Sequence, residues 1–164
     1  MVIWNNYLII AHYHQNGQLR SDLVNLIKLF HNDFKNIIVI STNLKNIEIK
    51  KIKKYATIIT RENLGYDFYS YKVGIDYLKK KLKKKFYDKN KILLLPSSLL
   101  FLKPKKLLIN FKKINDLENK VYGLTKSWEI CEHLQSELFI FSSLLFNNKS
   151  FSNWWGKIKK IKSK

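Results

Sequence analysis

Four short apolar, largely β-branched runs, at residues 7–13, 37–40, 56–60 and 92–95, alternate along the chain with stretches of helix length. That alternation constrains the fold more than any other feature. Buried strands joined by helical crossovers assemble into a mostly parallel sheet with helices on both faces. The first run, Tyr7-Leu8-Ile9-Ile10-Ala11-His12-Tyr13, ends in a polar turn at Gln15-Asn16-Gly17. The fourth is wholly apolar and is expected to be buried on both faces. Ser21 is placed to cap a helix that carries Asp22 in its first turn and Leu23, Leu26, Ile27 and Phe30 on one face. A basic, weakly helical stretch precedes the third run. Phe68, Tyr71, Ile75, Leu78 and Leu82 recur at steps of three and four, which predicts an amphipathic helix. Pro104 can open a helix reaching 114, with late strands at 121–125 and 138–142. Phe151, Trp154, Trp155 and Ile158 suggest a short final helix. One α/β domain is read over residues 1–156, with a basic tail at 157–164.

Composition removes several classes. The 164 residues are 46% apolar and 14% aromatic, which argues against disorder. The single cysteine, Cys131, excludes a disulfide framework or a Cys-rich zinc module. No run of about 18 apolar residues is present to span a membrane. The first residues show neither a basic n-region nor a cleavable apolar segment, so no signal peptide is read and a cytoplasmic location is expected.

The net charge of +19 invites a nucleic-acid reading, but its make-up opposes one. Only Arg20 and Arg61 among the 31 basic residues are arginine. Phosphate and base readers lean on the planar arginine fork. Lysine rises here together with asparagine and isoleucine, as a base-composition bias would produce. The runs at 50–54, 79–85 and 157–164 read as solvated faces, with attraction to an anionic membrane surface as a further reading.

In a parallel sheet, ligands sit at the carboxyl ends of the strands. This directs attention to residues 12–17, 41–43, 61–67 and 96–98. The segment Arg61-Glu62-Asn63-Leu64-Gly65-Tyr66-Asp67-Phe68 leaves the third strand and enters a helix. Gly65 permits close backbone approach or positive φ. Free N–H groups at the helix start, with Arg61 beside them, suit a phosphate, and Asp67 could accept sugar hydroxyls. The plainer alternative is a strand-to-helix turn in which Asp67 is the N-cap and Arg61–Glu62 a surface pair. His12 and His14 share a strand face but lack an identifiable third metal ligand, so one of them lining a pocket or closing the core edge is expected. Glu129, Glu132 and His133 are candidates for a general base, beside Gln135, Ser136 and Glu137. A polar surface face fits that cluster as well. Cys131 reads as a small buried apolar residue.

Taken in order, Ala11-His12-Tyr13, the exit at 41–43, the Arg61–Phe68 block, Gly74, Leu93-Leu94-Leu95-Pro96-Ser97-Ser98, Gly123-Leu124-Thr125 and His133-Leu134-Gln135-Ser136 resemble the rhamnan synthesis protein F family. The resemblance covers about residue 8 to Trp155 and is similar in turn to GT-A-type glycosyltransferases of bacterial surface polysaccharides. It implies a Rossmann-like GT-A-type domain with a nucleotide-sugar donor over the carboxyl ends of the sheet. His12, Asn43, Arg61, Asn63, Gly65, Asp67, Ser97 and Ser98 would bind substrate, with Arg61, Asn63 and Asp67 near the nucleotide and ribose. Gln135 and Ser136 would lie near the sugar or acceptor, with Glu132 or His133 as base. Rhamnose is a candidate sugar, and the acceptor would be a glycan or a lipid-linked glycan, which would bring the protein to the inner membrane face.

Two departures bear on the chemistry. Such enzymes place metal-binding carboxylates where this chain has Pro96-Ser97-Ser98, and no acid occurs between Lys89 and Ile114. Hydroxyls are poor ligands for hard cations, so Mg²⁺ or Mn²⁺ stays open as a cofactor but could not be held there in the usual way. The alternative is a metal-independent site in which lysines supply charge to the diphosphate. Family members also continue beyond the aromatic pair. A non-catalytic or truncated relative that binds nucleotide or glycan, or serves as a partner subunit, is therefore the alternative function.

Overall fold

The computed structural model describes residues 4–117, 120–128, 133–135 and 137–158. β1 (Asn5–His12), β2 (Asn36–Ser41), β3 (Thr57–Thr60) and β4 (Asn90–Pro96) form the parallel part of a six-stranded sheet. β5 (Val121–Gly123) and β8 (Phe139–Ser142) complete it, in the order β3-β2-β1-β4-β8-β5. β8 runs antiparallel to both of its neighbours. β6 (Lys126–Ser127) and β7 (His133–Leu134) form a separate two-stranded hairpin. The α/β class expected from the alternation is therefore the one observed, with one antiparallel strand inside an otherwise parallel sheet.

Alternating side chains of β1 separate the two faces. Leu8 and Ile10 pack with α1 (Ser21–Phe30), α2 (Asn46–Ile52) and α4 (Pro104–Lys113). Tyr7, Ile9 and Ala11 pack with α3 (Tyr66–Leu82) and α5 (Lys149–Gly156). All of β4 is buried, as its apolar run requires.

The buried run includes Lys91, whose ammonium donates to the carbonyls of Phe111 at 3.1 Å and Ile114 at 2.6 Å. A cation at the carboxyl end of α4 meets the negative end of the helix dipole and satisfies carbonyls that the helix leaves open. Burial pushes the Lys91 ammonium below its ordinary pKa.

Two local expectations are corrected. Ser21 begins α1 rather than capping it; Arg20 holds the cap position and makes no side-chain cap bond. Asp67 is not the N-cap of α3. That place belongs to Gly65, at φ 73°. The basic stretch after β2 does form a helix, held by Glu48, whose carboxylate takes the Lys51 ammonium at 2.7 Å and the Leu19 N–H at 3.3 Å.

α3 lies directly on β1. A Cβ on Gly74 would fall 2.5 Å from Ile9 Cγ2. Only glycine allows this approach, and it fixes where the first turn of α3 meets the strand ends.

Candidate functional site

A cavity of about 300 Å³ opens over the carboxyl ends of β1, β2 and β3. Its walls come from the β1 exit (His12, Tyr13), the β2 exit (Thr42) and the segment from Arg61 to Ser70. The strand order reverses between β1 and β4, where a parallel sheet ordinarily opens its crevice. Here the Ser97 hydroxyl accepts the Tyr13 N–H at 3.1 Å, and the Ser97 N–H donates to the Ala11 carbonyl at 2.7 Å. These contacts extend the β1–β4 pairing past the strand ends. The cavity accordingly lies on the β2–β3 side.

Arg61 organises the segment that forms its floor. Its Nε and Nη2 donate to the Ser70 hydroxyl at 3.0 and 2.7 Å. Nη1 donates to the carbonyls of Glu62, at 2.6 Å, and of Leu64, while Nη2 also donates to the Tyr66 carbonyl at 2.7 Å. These contacts engage all five N–H donors of the guanidinium. Its face lies 5.3 Å from the centre of the Tyr69 ring. The arginine thus binds its own loop, and what it offers a ligand is charge and shape rather than a free fork.

The loop needs such a clamp. Gly65 and Tyr66 both have positive φ, at 73° and 50°. Glycine adopts this region freely, whereas an aromatic residue there is strained by about 1–3 kcal/mol. The bond from Arg61 to the Tyr66 carbonyl holds that conformation. The Tyr66 ring is 67% exposed, and a second exposed aromatic, Tyr13 at 56%, lines the same cavity.

Asp67 is the carboxylate of the cavity wall. No hydrogen bond or ion pair reaches it from the described residues. Burial raises its pKa above the ordinary carboxylate value, and the Arg61 charge opposes that rise. Tyr71, behind it in the core, is likewise pushed up, by burial first and by Asp67 second. A half-buried carboxylate without a partner is an acceptor held ready for donors from a ligand. Beside it, α3 begins with no side-chain cap, so its first N–H groups are left to solvent or ligand. Asn63 is exposed on the same wall.

Other expected site residues serve as supports. His12 lines the cavity, but both of its ring nitrogens are engaged. Nε2 faces the Gln18 carbonyl at 3.0 Å, so it carries the proton, and Nδ1 accepts from the Ser41 hydroxyl at 2.9 Å. Burial pushes its pKa down, so the ring is neutral. The Asn43 amide donates to the carbonyls of His14 at 2.6 Å and Gln15 at 3.2 Å, fastening the β1 exit loop. Asn43 and Ser97 are outside the cavity lining, as is Ser98, which is exposed after β4.

Of the second expected cluster, the described members are His133, Gln135 and Glu137. His133 is in β7 and exposed. The Gln135 side-chain oxygen accepts from the Thr125 hydroxyl at 2.8 Å, and Glu137 accepts from the same hydroxyl at 2.9 Å. Neither His133 nor Gln135 is on the cavity wall. Glu129, Cys131, Glu132 and Ser136 lie outside the described residues.

Among the described residues no group of three His, Cys, Asp or Glu side chains gathers to hold a metal. Asp67 alone on the cavity wall, with hydroxyls elsewhere, is a poor fit to the six oxygen ligands of Mg²⁺.

Sequence reasoning passed over Tyr13, Thr42, Tyr66 and Ser70 as site residues. Tyr13 and Tyr66 were legible as neighbours of candidate positions. The positive φ at Tyr66 and the Ser97 contact to the Tyr13 N–H are features that a pattern of residue types does not encode.

A family model described as rhamnan synthesis protein F matches residues 11–164. The fold aligns with a 4-diphosphocytidyl-2C-methyl-D-erythritol synthase at a TM-score of 0.54 and 11% identity, over 98% of this chain and 88% of that one. The synthase of the same description from Anaerococcus prevotii DSM 20548 aligns at 0.54 and 14%, over 98% and 80%. At such identities the common property is the fold. No curated protein matches the chain.

Proposed function

The chain belongs to the rhamnan synthesis protein F family, and on that premise we propose that it transfers a sugar, rhamnose foremost, from a nucleotide-sugar donor to a growing surface polysaccharide. The observation that carries this reading is Asp67. Among the described residues it is a carboxylate without a hydrogen-bond or ion-pair partner, on the wall of a 300 Å³ cavity and next to the uncapped start of α3.

In this reading the nucleobase stacks between Tyr13 and Tyr66, whose exposed rings flank the cavity. Asp67 and Asn63 take the ribose or sugar hydroxyls, and the first N–H groups of α3 take the diphosphate. Gly65 lets the backbone come close. His12, Asn43 and Ser97 hold the β1 exit in place, and Ser98 meets the acceptor end of the donor. The acceptor hydroxyl loses its proton to Glu132 or His133 and attacks the anomeric carbon. The bond to the diphosphate oxygen breaks, and the nucleoside diphosphate leaves with the electron pair. Gln135 and Ser136 orient the acceptor. No step runs through a metal.

Calorimetric titration with nucleoside diphosphates and nucleotide sugars, with and without EDTA, tests the reading. Expected is binding that survives EDTA and falls at least about tenfold in Asp67→Asn. Binding unaltered by that substitution would remove the assignment of the cavity, and no binding of any nucleotide would overturn the donor reading. Donor binding without turnover, in the presence of acceptor, would favour the non-catalytic alternative, to which the Ser97-Ser98 departure points.

A further inference from the structure

The segment after β4 presents apolar side chains to solvent in an ordered way. Leu100 is 61% and Leu102 78% exposed, while Phe101 between them is buried. The chain turns at Ser97-Ser98 and bends at Leu99 and Leu102, and with Phe101 buried as an anchor the two flanking leucines are left in solvent. The anchor is fixed from both directions. Arg20 donates to the Leu99 carbonyl, and Asp22 accepts the Phe101 N–H at 3.0 Å. Arg20 and Asp22 are themselves joined by two bonds of 3.0 Å. Leu99–Leu102 is therefore held in shape before it meets anything.

Its surroundings are cationic. Lys103, Lys105 and Lys106 follow directly and are exposed. Among the described residues none of them has an ion-pair partner. Exposed Ile109 continues the apolar stripe along α4. Asp22, the acid nearest the loop, is neutralised by Arg20, and Asp33 is occupied by Lys112. A shallow cavity of about 190 Å³ under the loop, closed by Leu124 and Leu138, is almost wholly apolar.

We propose that Leu100 and Leu102 insert into the interface of an anionic lipid bilayer, with Lys103, Lys105 and Lys106 set against its headgroups. Apolar insertion combined with a lysine collar is the pair of signals that stable interfacial binding requires. The charge pattern selects this occupant. A second copy would bring an identical cationic collar against the first, and nucleic acid would gain nothing from exposed leucines. No helix among the described residues is long and apolar enough to cross a membrane, so this contact is peripheral. β4 runs parallel to β1 and ends beside it, with Pro96 paired to Ala11. The loop and the Asp67 cavity consequently open at the same end of the sheet. Lipid contact at this loop does not depend on what the cavity binds.

Co-sedimentation of the full chain with mixed phosphatidylglycerol–phosphatidylcholine vesicles, against pure phosphatidylcholine, tests it. Expected is binding to the mixed vesicles only. L100S/L102S, which keeps every charge, should lower partitioning roughly tenfold or more, and so should K103Q/K105Q/K106Q. A tryptophan reporter, L102W, should shift its emission to shorter wavelength on the mixed vesicles and be quenched by brominated lipid. Equal partitioning of L100S/L102S and wild type would reduce the effect to net charge and overturn the proposal. So would absence of binding, equal binding to both vesicles, or self-association without lipid that L100S/L102S abolishes.

Discussion

The guanidinium of Arg61 and the hydroxyl of Ser70 meet at 3.0 Å through Nε and at 2.7 Å through Nη2, linking the exit of β3 to the second turn of α3. The remaining donors close on the carbonyls of Glu62, Leu64 and Tyr66. One side chain thereby ties the intervening loop to the helix and sets the strained Tyr66 at the cavity rim.

Arg61→Lys keeps the charge but removes the planar fork, and a single ammonium cannot reach carbonyls spread over five residues. Several loop carbonyls lose their partners, at a cost of about 1–3 kcal/mol. Denaturant unfolding should show that loss, and amide hydrogen exchange at residues 62–67 should accelerate. A variant that unfolds at the wild-type midpoint with unchanged exchange would mean that the loop holds its own shape.

Asp67→Asn should act on stability and on ligand binding in opposite directions. Burial raises the Asp67 pKa in the folded state, so the folded protein takes up that proton more readily than the unfolded chain. This carboxyl therefore subtracts stability as pH rises from the ordinary value of 3.8 through the raised folded value, and the deficit persists at neutral pH. The amide carries no such penalty. The Asp67→Asn variant should melt slightly above wild type at pH 7, while the two converge in acid, and nucleotide affinity should drop. A lower melting temperature at pH 7 would show that Asp67 has a stabilising partner.

Gly74→Ala drives a methyl group to within 2.5 Å of Ile9 Cγ2, in a part of the core where Ile9 is fully buried. A β-branched neighbour has little freedom to turn aside. The expected loss is about 1–3 kcal/mol, read from chemical denaturation. Nucleotide affinity should also fall, because α3 carries both Asp67 and the loop end. Full stability in the alanine variant would place α3 farther from β1 than the packing requires.

The frame of the fold was legible because its signals are local. Four apolar runs, Pro104 and the spacing of Phe68, Tyr71, Ile75 and Leu78 each state an element without reference to the rest of the chain. The same sequence places Arg61, Asp67 and Gly65 in one segment, and they do meet at one cavity. What it leaves open is the use of each polar atom. Arg61 reads as a phosphate ligand, yet its donors go to its own loop. His12 reads as a pocket histidine, yet Ser41 and Gln18 claim both nitrogens from 29 and six residues away. Lys91, outside the fourth apolar run, gives no signal of its own, yet it closes the end of α4. These assignments depend on tertiary neighbours, and residue type carries only the capacity to bond.

Asp22 gives the sharpest pH signature outside the cavity. The Arg20 side-chain bonds, helped by the Phe101 N–H, lower its pKa from 3.8 to about 2 against the opposing effect of burial. A carboxylate with a depressed folded pKa adds stability that is complete above the unfolded value. It is lost as pH falls through the folded one. Asp22 should therefore contribute at pH 7 and progressively less between about pH 4 and pH 2. Its side chain is 18% exposed and that of Arg20 36%, so screening trims the contribution to about 1–2 kcal/mol. Asp22→Asn should cost that amount at neutral pH and flatten the acid limb of the stability curve. The substitution also weakens the hold on the Phe101 N–H, so amide protection factors at 99–102, taken against the intrinsic exchange rate at each pH, should fall at pH 7, as they should in wild type near pH 2. Parallel acid limbs for Asp22→Asn and wild type would show that another carboxylate governs acid unfolding and that the loop after β4 is anchored without Asp22, by the Arg20 bond to the Leu99 carbonyl and Phe101 packing.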